Sequence, residues 1–469
     1  MTGKTYLIYS TATIDSKFCI IGNMQKTHKH ANAWVVSVNM GYGHSRAAYA
    51  LKDLAHDGII NANDYKGIPK DDKRLWVQSR KIYETISRLK PLPIIGDIAF
   101  ELIDRNQRIE PFYPRRDLSK PTSQVKQTYF MVEKLGLGKH LIEKLSANPL
   151  PMVCTFFIPA FAAEVYDYPG DIYLVVCDAD MSRAWVAKDP KKSRIKYFAP
   201  NARVMERLKL YGVREENIYL TGFPLPKEII GGAKGTIIKD DLKARLCNLD
   251  PKRIFSEKYV RTLNAELGNG SCPLKPNHPL TLTFSVGGAG AQRRLGMQII
   301  NSLKHKIKRK EIQVHLAAGT KKLAADFFTK EIKKLGLNRM LGKGVFVDYY
   351  KDRPTYFHEF TKLLRKTDIL WTKPSEMSFY TGIGLPIIMA PSIGSQEVFN
   401  RVWLKQFGGG VTQGDPRYTD EWLFDWINSG GLARMAWNGY IEAPTHGSYR
   451  IESVITGEKM ELENLPLIV

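Results

Sequence analysis

The segment Thr281 to Gly296, TLTFSVGGAGAQRRLG, limits the possible folds more than any other part of the sequence. The β-branched and apolar run 282–286 predicts a strand, glycines follow at 287, 288 and 290, and a helical pattern continues to about Leu303. Such a turn lets the backbone approach a phosphate closely, because glycine has no Cβ. The helix N-terminus then offers free N–H groups and a partial positive charge to an anion.

A second turn of the same kind lies far upstream, in Trp34 to Ala48, WVVSVNMGYGHSRAA. Two such strand–glycine–helix units predict an α/β protein with two Rossmann-like doubly wound domains that face each other across a cleft. A glycine turn taken alone is equally typical of a tight connection that binds nothing. Further strands are predicted by short apolar runs at Met152–Phe157, Ile172–Cys177, Lys196–Phe198, Ile218–Thr221, Gln313–Ala318, Val345–Asp348, Ile369–Trp371 and Pro386–Ala390.

The chain of 469 residues is long enough for two or three domains. We expect an N-terminal domain over 1–225, with an edge strand or hairpin in 1–30 and short helices in 66–145. An inter-domain segment follows over 226–278. The second domain spans 279–440, and a polar tail with a strand-like end covers 441–469.

The composition excludes several classes of protein. No apolar run approaches the roughly 18 residues that a membrane-spanning helix needs, and residues 1–24 do not have the pattern of a secretory signal. Five scattered cysteines without a CxxC pair favour reduced thiols in a cytoplasmic protein. The net charge of +22 favours an anionic partner such as a membrane surface or a phosphorylated substrate, or else only a soluble surface. Nucleic acid is not expected, because no nucleic-acid-binding motif is found.

Several segments together resemble a known family. The chain is similar to GT-B glycosyltransferases of the group that includes monogalactosyldiacylglycerol synthase, processive diacylglycerol glucosyltransferases and MurG. Coverage runs over about 33–225 and 280–440, and the last block is the most specific. The matching segments are GYGHSRAA at 41–48, VVCDADMSRAWV at 175–186, YGVREENIYLTGFP within 197–224, the loop 285–292, and TKPSEMSFYTGIGLPIIMAPSIGSQEVFN at 372–400.

The resemblance implies a nucleotide sugar, UDP-linked, bound by the C-terminal domain, with no cofactor and no metal. Glu376 would hold the ribose, while Gln396 and Glu397 would lie over the donor sugar or its phosphates. The segment 373–385 is about two residues shorter than in the family, which puts the ribose carboxylate in doubt. The full set of expected donor-binding residues is Gly287, Gly288, Gly290, Ala291, Gln292, Gly319, Lys373, Ser375, Glu376, Gln396, Glu397 and Asn400.

The N-terminal domain would hold the acceptor. His44 suits the role of a base that removes the acceptor's proton near neutral pH. Asp178 aligns with the strand-end aspartate of the family and is the second catalytic candidate. Gly41, Gly43 and Trp185 are expected at the acceptor. Each of these residues also has a plain structural explanation, as a helix cap, a turn or part of the core. Asp178 and Asp180 spell DxD, but the glycine-loop context argues against a metal site.

The stretch 66–118 interleaves aromatic and aliphatic residues, among them Trp76, with basic residues such as Lys73 and Arg74. This pattern suits an anionic bilayer and equally a helical hairpin packed on the sheet. We therefore expect a cytoplasmic, metal-independent glycosyltransferase, peripheral at the inner face of the plasma membrane, with a lipid acceptor. The alternatives are a GT-B-fold sugar-nucleotide epimerase or hydrolase, and a non-catalytic protein that binds a nucleotide or an anionic membrane.

Overall fold

The computed structural model describes residues 33–77, 109–268, 270, 276–286, 292–392 and 394–458. Two six-stranded parallel sheets form the framework. Their strand orders are β2-β1-β3-β4-β5-β6 and β12-β11-β10-β7-β8-β9, and each order reverses once along its sheet. This confirms the predicted fold class of two doubly wound α/β domains.

The N-terminal sheet is built from short strands; its four inner strands are almost fully buried, as expected when helices cover both faces of a parallel sheet, and its two edge strands are half-buried. Its strands are β1 Trp34–Ser37, β2 Ile60–Asn61, β3 Met152–Cys154, β4 Ile172–Val175, β5 Lys196–Ala199 and β6 Ile218–Leu220. The helices of this half are α1 Gly43–Ala50, α2 Ser123–Leu135, α3 Lys139–Ser146, α4 Phe157–Val165 and α5 Ala202–Leu210.

The helices α6 Thr236–Leu249, α7 Ile254–Lys258 and α8 Val260–Leu267 lie between the two sheets in sequence. The C-terminal sheet contains β7 Thr281–Ser285, β8 Gln313–Gly319, β9 Val345–Tyr349, β10 Ile369–Thr372, β11 Ile387–Met389 and β12 Gly410–Thr412. Its helices are α9 Arg293–Lys308, α10 Lys322–Lys334, α11 Arg353–Arg365, α12 Ser395–Gln406, α13 Thr419–Asn428 and α14 Gly431–Glu442. No described helix combines the length and apolar character needed to cross a membrane.

The structure differs from the sequence prediction in three places. β2 and β12 were not predicted, because runs of two or three residues show no usable periodicity. The polar tail over 441–469 contains helix α15 Gly447–Thr456, which was not predicted, and its expected strand-like end over 459–469 lies outside the described residues. The predicted edge strand or hairpin in 1–30 lies outside the described residues.

Helix α15 returns to the N-terminal half of the chain and packs on the segment that follows β6. Arg450 donates to the backbone oxygen of Thr221 at 3.0 Å, and Ser448 donates to that of Leu225 at 2.5 Å. A Cβ on Gly447 would lie 2.3 Å from the backbone oxygen of Phe223, so the two backbones are in direct contact. The polypeptide therefore passes between the two halves twice, and the two connecting segments lie side by side.

Candidate active site

The candidate site lies where the strand order of each sheet reverses, the position at which doubly wound folds bind ligands. In the N-terminal sheet this point is between β1 and β3. In the C-terminal sheet it is between β7 and β10. The chain leaving β1 carries His44, and the chain leaving β10 carries Lys373 and Glu376.

Asp178 and Asn400 connect the two domains directly. Asp178 follows β4, whereas Asn400 lies on α12 of the C-terminal domain. Asn400 donates its Nδ2 to Asp178 Oδ1 at 2.9 Å, and its Oδ1 accepts the Ala179 backbone N–H at 2.7 Å. Asn400 is fully buried, so both halves of its amide are fixed. The contact holds the Asp178 carboxylate against the second domain.

Three carboxylates converge at this contact. Burial raises the pKa of Asp178 to about 6; the Asn400 bond opposes the shift, and the charges of Glu376 and Glu397 add to it. Glu397 forms an ion pair with Lys373. A pKa of about 6 suits the Asp178 carboxyl to exchange a proton near neutral pH.

Glu376, expected to hold the ribose, forms an ion pair with Arg46 of the opposite domain. Arg46 Nε lies 3.2 Å from Glu376 Oε1, and both side chains are almost completely buried. Arg46 also donates to the Tyr356 hydroxyl at 2.6 Å, and its guanidinium lies 4.4 Å from the centroid of the Phe360 ring. Burial acts to lower the pKa of Arg46, but Tyr356, Tyr380 and Glu376 raise it overall.

His44 lies in the first turn of α1, among aromatic rings. Its ring centroid is 4.9 Å from that of Phe156 and 5.7 Å from that of Trp185. Burial lowers the pKa of His44 to about 4, against a smaller opposing effect of the Thr155 backbone. Nδ1 is buried and has no hydrogen-bond partner among the described residues. His44 is therefore neutral at pH 7.

The structure describes some of the other predicted donor-binding residues and not others. Gly287, Gly288, Gly290 and Ala291 lie outside the described residues. Gln292 has a φ of +66° before α9, and its amide donates to the backbone oxygen of Pro391 at 2.9 Å. Ser375 is buried beside Glu376, while Gln396 is half-buried in the first turn of α12.

The glycines of the first turn have distinct roles. Gly41 has a φ of +83°, a left-handed conformation that favours glycine. At Gly43 a Cβ would lie 3.1 Å from Glu376 Oε2, so this glycine permits the close approach of the second domain.

The structure assigns Asp180 and Trp76 to structural roles. Asp180 accepts from Arg207 Nε and Nη2 at 2.9 Å each and from Arg203 at 3.1 Å, so guanidinium groups occupy its carboxylate. Trp76 is buried in the core of the N-terminal domain, so its ring is not presented to a bilayer. Most of the predicted docking stretch, 78–108, lies outside the described residues.

Sequence reasoning missed Tyr42 and Arg46. Tyr42 reaches into the C-terminal domain, where its hydroxyl accepts the Thr320 backbone N–H at 2.9 Å. A tyrosine between two glycines is an unusual sequence feature, and so is an arginine among the small residues at the start of a helix. Both features indicate a specific contact for the side chain. Their partners could not be found from the sequence, because they lie about 300 residues away along the chain.

Comparison with known proteins gives limited matches. A family model described as a domain of unknown function, DUF6938, matches residues 272–359, less than half of the chain. No curated protein matches the sequence.

Among solved structures, Acinetobacter baumannii MurG is 11% identical, with a TM-score of 0.44 over 91% of this chain and 100% of that one. UDP-GlcNAc 2-epimerase from Neisseria meningitidis, bound to UDP-GlcNAc, is 13% identical, with a TM-score of 0.41 over 77% and 88%. A glycosyltransferase from Rickettsia africae is 11% identical, with a TM-score of 0.34 over 81% and 95%. Similarity at this level concerns the arrangement of elements and not the activity.

Proposed function

We propose that this protein is a metal-independent glycosyltransferase that moves a sugar from a UDP-sugar to an acceptor held by the N-terminal domain. The observation that carries the proposal is the Asp178–Asn400 contact at 2.9 Å, which holds a carboxyl with a pKa of about 6 between the domains. Such a group can remove the proton of an acceptor hydroxyl as the hydroxyl attacks the anomeric carbon. The glycine turn before α9 and the first turn of α12 would hold the diphosphate.

The pKa shifts favour Asp178 over His44 as the base. A histidine with a pKa of about 4 binds a proton weakly at pH 7, whereas a carboxyl at about 6 is better matched to that task. His44, whose Nδ1 is buried next to aromatic rings, would then position the acceptor. Transfer is expected to decline as the pH falls below about 6, because Asp178 becomes protonated.

The test is calorimetry with UDP, followed by release of UDP from a UDP-sugar in the presence of candidate acceptors. Asp178→Asn should retain UDP binding and lose transfer by at least ~100-fold, the usual contribution of a general base. Asp189→Asn, which changes an exposed carboxylate of the same domain, is the matched control. Full turnover in Asp178→Asn would remove this residue from the mechanism, and UDP binding without turnover over a broad panel would favour a non-catalytic protein.

A second candidate activity is epimerisation or hydrolysis of a sugar nucleotide. The observation that favours it is the convergence of three carboxylates, because Asp178 is influenced by both Glu376 and Glu397. Conversion of a UDP-sugar to its epimer, or to UDP and free sugar, without any acceptor would favour this activity over transfer.

We further propose a lipid acceptor at an anionic membrane surface, on the basis of the net charge of +22. Vesicles with anionic lipids should co-sediment the protein, and neutral vesicles should not. High salt should abolish the binding, since screening weakens exposed charges. Equal binding to both vesicles would contradict the electrostatic basis of the proposal.

A further inference from the structure

The Tyr42 side chain is a part of the first glycine turn that the proposed transfer does not use. It stands where the resembling family has a glycine, and only 5% of it is exposed. Its hydroxyl accepts the Thr320 backbone N–H at 2.9 Å and lies 3.0 Å from Thr320 Oγ1. The ring of an N-terminal residue is therefore bound by polar groups of the C-terminal domain.

The C-terminal domain supplies most of the pocket around this ring. The Tyr356 ring centroid lies 5.1 Å away, and Phe357 meets the ring edge-on at 6.0 Å. The Arg353 guanidinium lies 5.4 Å from the ring centroid. Gly319, with a φ of +63°, forms the end of the pocket, because a Cβ there would lie 2.6 Å from the Tyr42 hydroxyl.

These features suit one kind of ligand. Aromatic walls and a guanidinium accept a flat ring. A backbone N–H at the end of the pocket donates to an oxygen carried by the ring, and the missing Cβ of Gly319 leaves space for that oxygen. A pyrimidine base with a carbonyl group has the same combination of flat ring and acceptor oxygen as a phenol.

We propose that this pocket is a ring-binding subsite of the C-terminal domain, that Tyr42 is its built-in occupant, and that a nucleobase carbonyl replaces the Tyr42 oxygen at the Thr320 N–H. The identity of the base as uracil rests on the proposed function. Tyr42 and the nucleotide compete, so the nucleotide binds only the fraction of molecules in which Tyr42 has left the pocket. The apparent affinity for the nucleotide is therefore the intrinsic affinity of the open pocket multiplied by that fraction.

Calorimetry with UDP on the wild type and on Tyr42→Ala tests the competition. Tyr42→Ala should bind UDP at least ~10-fold more tightly, because the pocket is no longer occupied. Tyr42→Phe should lie between the two, since it keeps the ring but loses the bonds to Thr320. Tyr173→Ala is the matched control: Tyr173 is a buried tyrosine of the N-terminal domain, 4% exposed, whose ring stacks on Phe198 and whose hydroxyl donates to Asp171 at 3.3 Å.

A folded Tyr42→Ala protein that binds UDP no more tightly than the wild type would overturn the proposal. Absence of UDP binding in every variant would contradict the proposed function and the nucleobase assignment, and the pocket is then judged with p-cresol, the analogue of the tyrosine side chain. Binding of p-cresol to Tyr42→Ala but not to Tyr173→Ala supports a ring-binding subsite. No p-cresol binding to either variant overturns it.

Discussion

At the scale of single residues, burial in one site shifts the pKa values of Asp178 and His44 in opposite directions. The pKa of Asp178 rises from 3.8 to about 6, and that of His44 falls from 6.5 to about 4, both mainly through burial. Each shift corresponds to about 3 kcal/mol. Between about pH 4 and 6 the folded chain keeps a proton on Asp178 that the unfolded chain releases, while at His44 the unfolded chain keeps the proton. The two effects on stability nearly cancel.

Replacing either residue should therefore reveal a pH dependence of the unfolding free energy that is hidden in the wild type. Asp178→Asn removes the Asp178 effect, so its stability relative to the wild type should fall as the pH drops from about 6 towards 4. His44→Gln removes the His44 effect, so its stability relative to the wild type should fall as the pH rises from about 4 towards 6.5. Urea unfolding at several pH values between these limits measures both slopes. Slopes of the same sign in the two variants would contradict the assignment.

The Arg46–Glu376 ion pair leads to a second residue-scale prediction. Arg46→Met leaves the Glu376 carboxylate buried without its cation, which should cost about 3–5 kcal/mol. Glu376→Gln should cost less, because Arg46 keeps its bond to Tyr356 at 2.6 Å and its aromatic neighbours. The double variant should recover part of the loss. A thermodynamic cycle from urea unfolding measures the coupling, and strictly additive losses would show that the pair is not coupled.

The strands were, at the scale of elements, largely predictable from the sequence, because apolar runs are local signals. β7 was predicted over 282–286 and found as Thr281–Ser285. The short edge strand β12 was missed because its place depends on β11, which it pairs with, and not on its own sequence. The ion pair of Glu376 was not predictable for the same reason, since its partner Arg46 belongs to a distant element.

Helix α15 offers an element-scale prediction through its two terminal glycines. Gly447→Ala places a Cβ 2.3 Å from the Phe223 backbone oxygen, which cannot rotate away, so we expect a loss of about 3 kcal/mol. Gly457→Ala meets no atom within 4 Å and has only an unfavourable φ of +72° to accommodate, so its cost should be about 1 kcal/mol. Thermal unfolding of both variants measures the difference. Equal losses would mean that the helix does not depend on this contact.

The N-terminal domain is, at the scale of the whole molecule, completed by a helix from the other end of the chain. A fragment of residues 33–225 lacks the bonds that Ser448 and Arg450 make to the segment after β6. We expect this fragment to be less stable than one in which residues 443–458 are joined to it by a short linker. Chemical unfolding of the two fragments compares them, and equal midpoints would show that α15 contributes nothing.

The double crossing also governs what a single cut would do. The two segments that connect the halves are held to each other by contacts such as that of Gly447 with Phe223 and the ion pair of Lys227 with Glu452 at 2.5 Å. A protease that nicks the chain once between β6 and β7 would divide it into two polypeptides. Those polypeptides would remain one particle in gel filtration, because the C-terminal piece carries the last helix of the N-terminal domain. The molecule is thus a natural candidate for split-protein reassembly, with the break placed in 226–278.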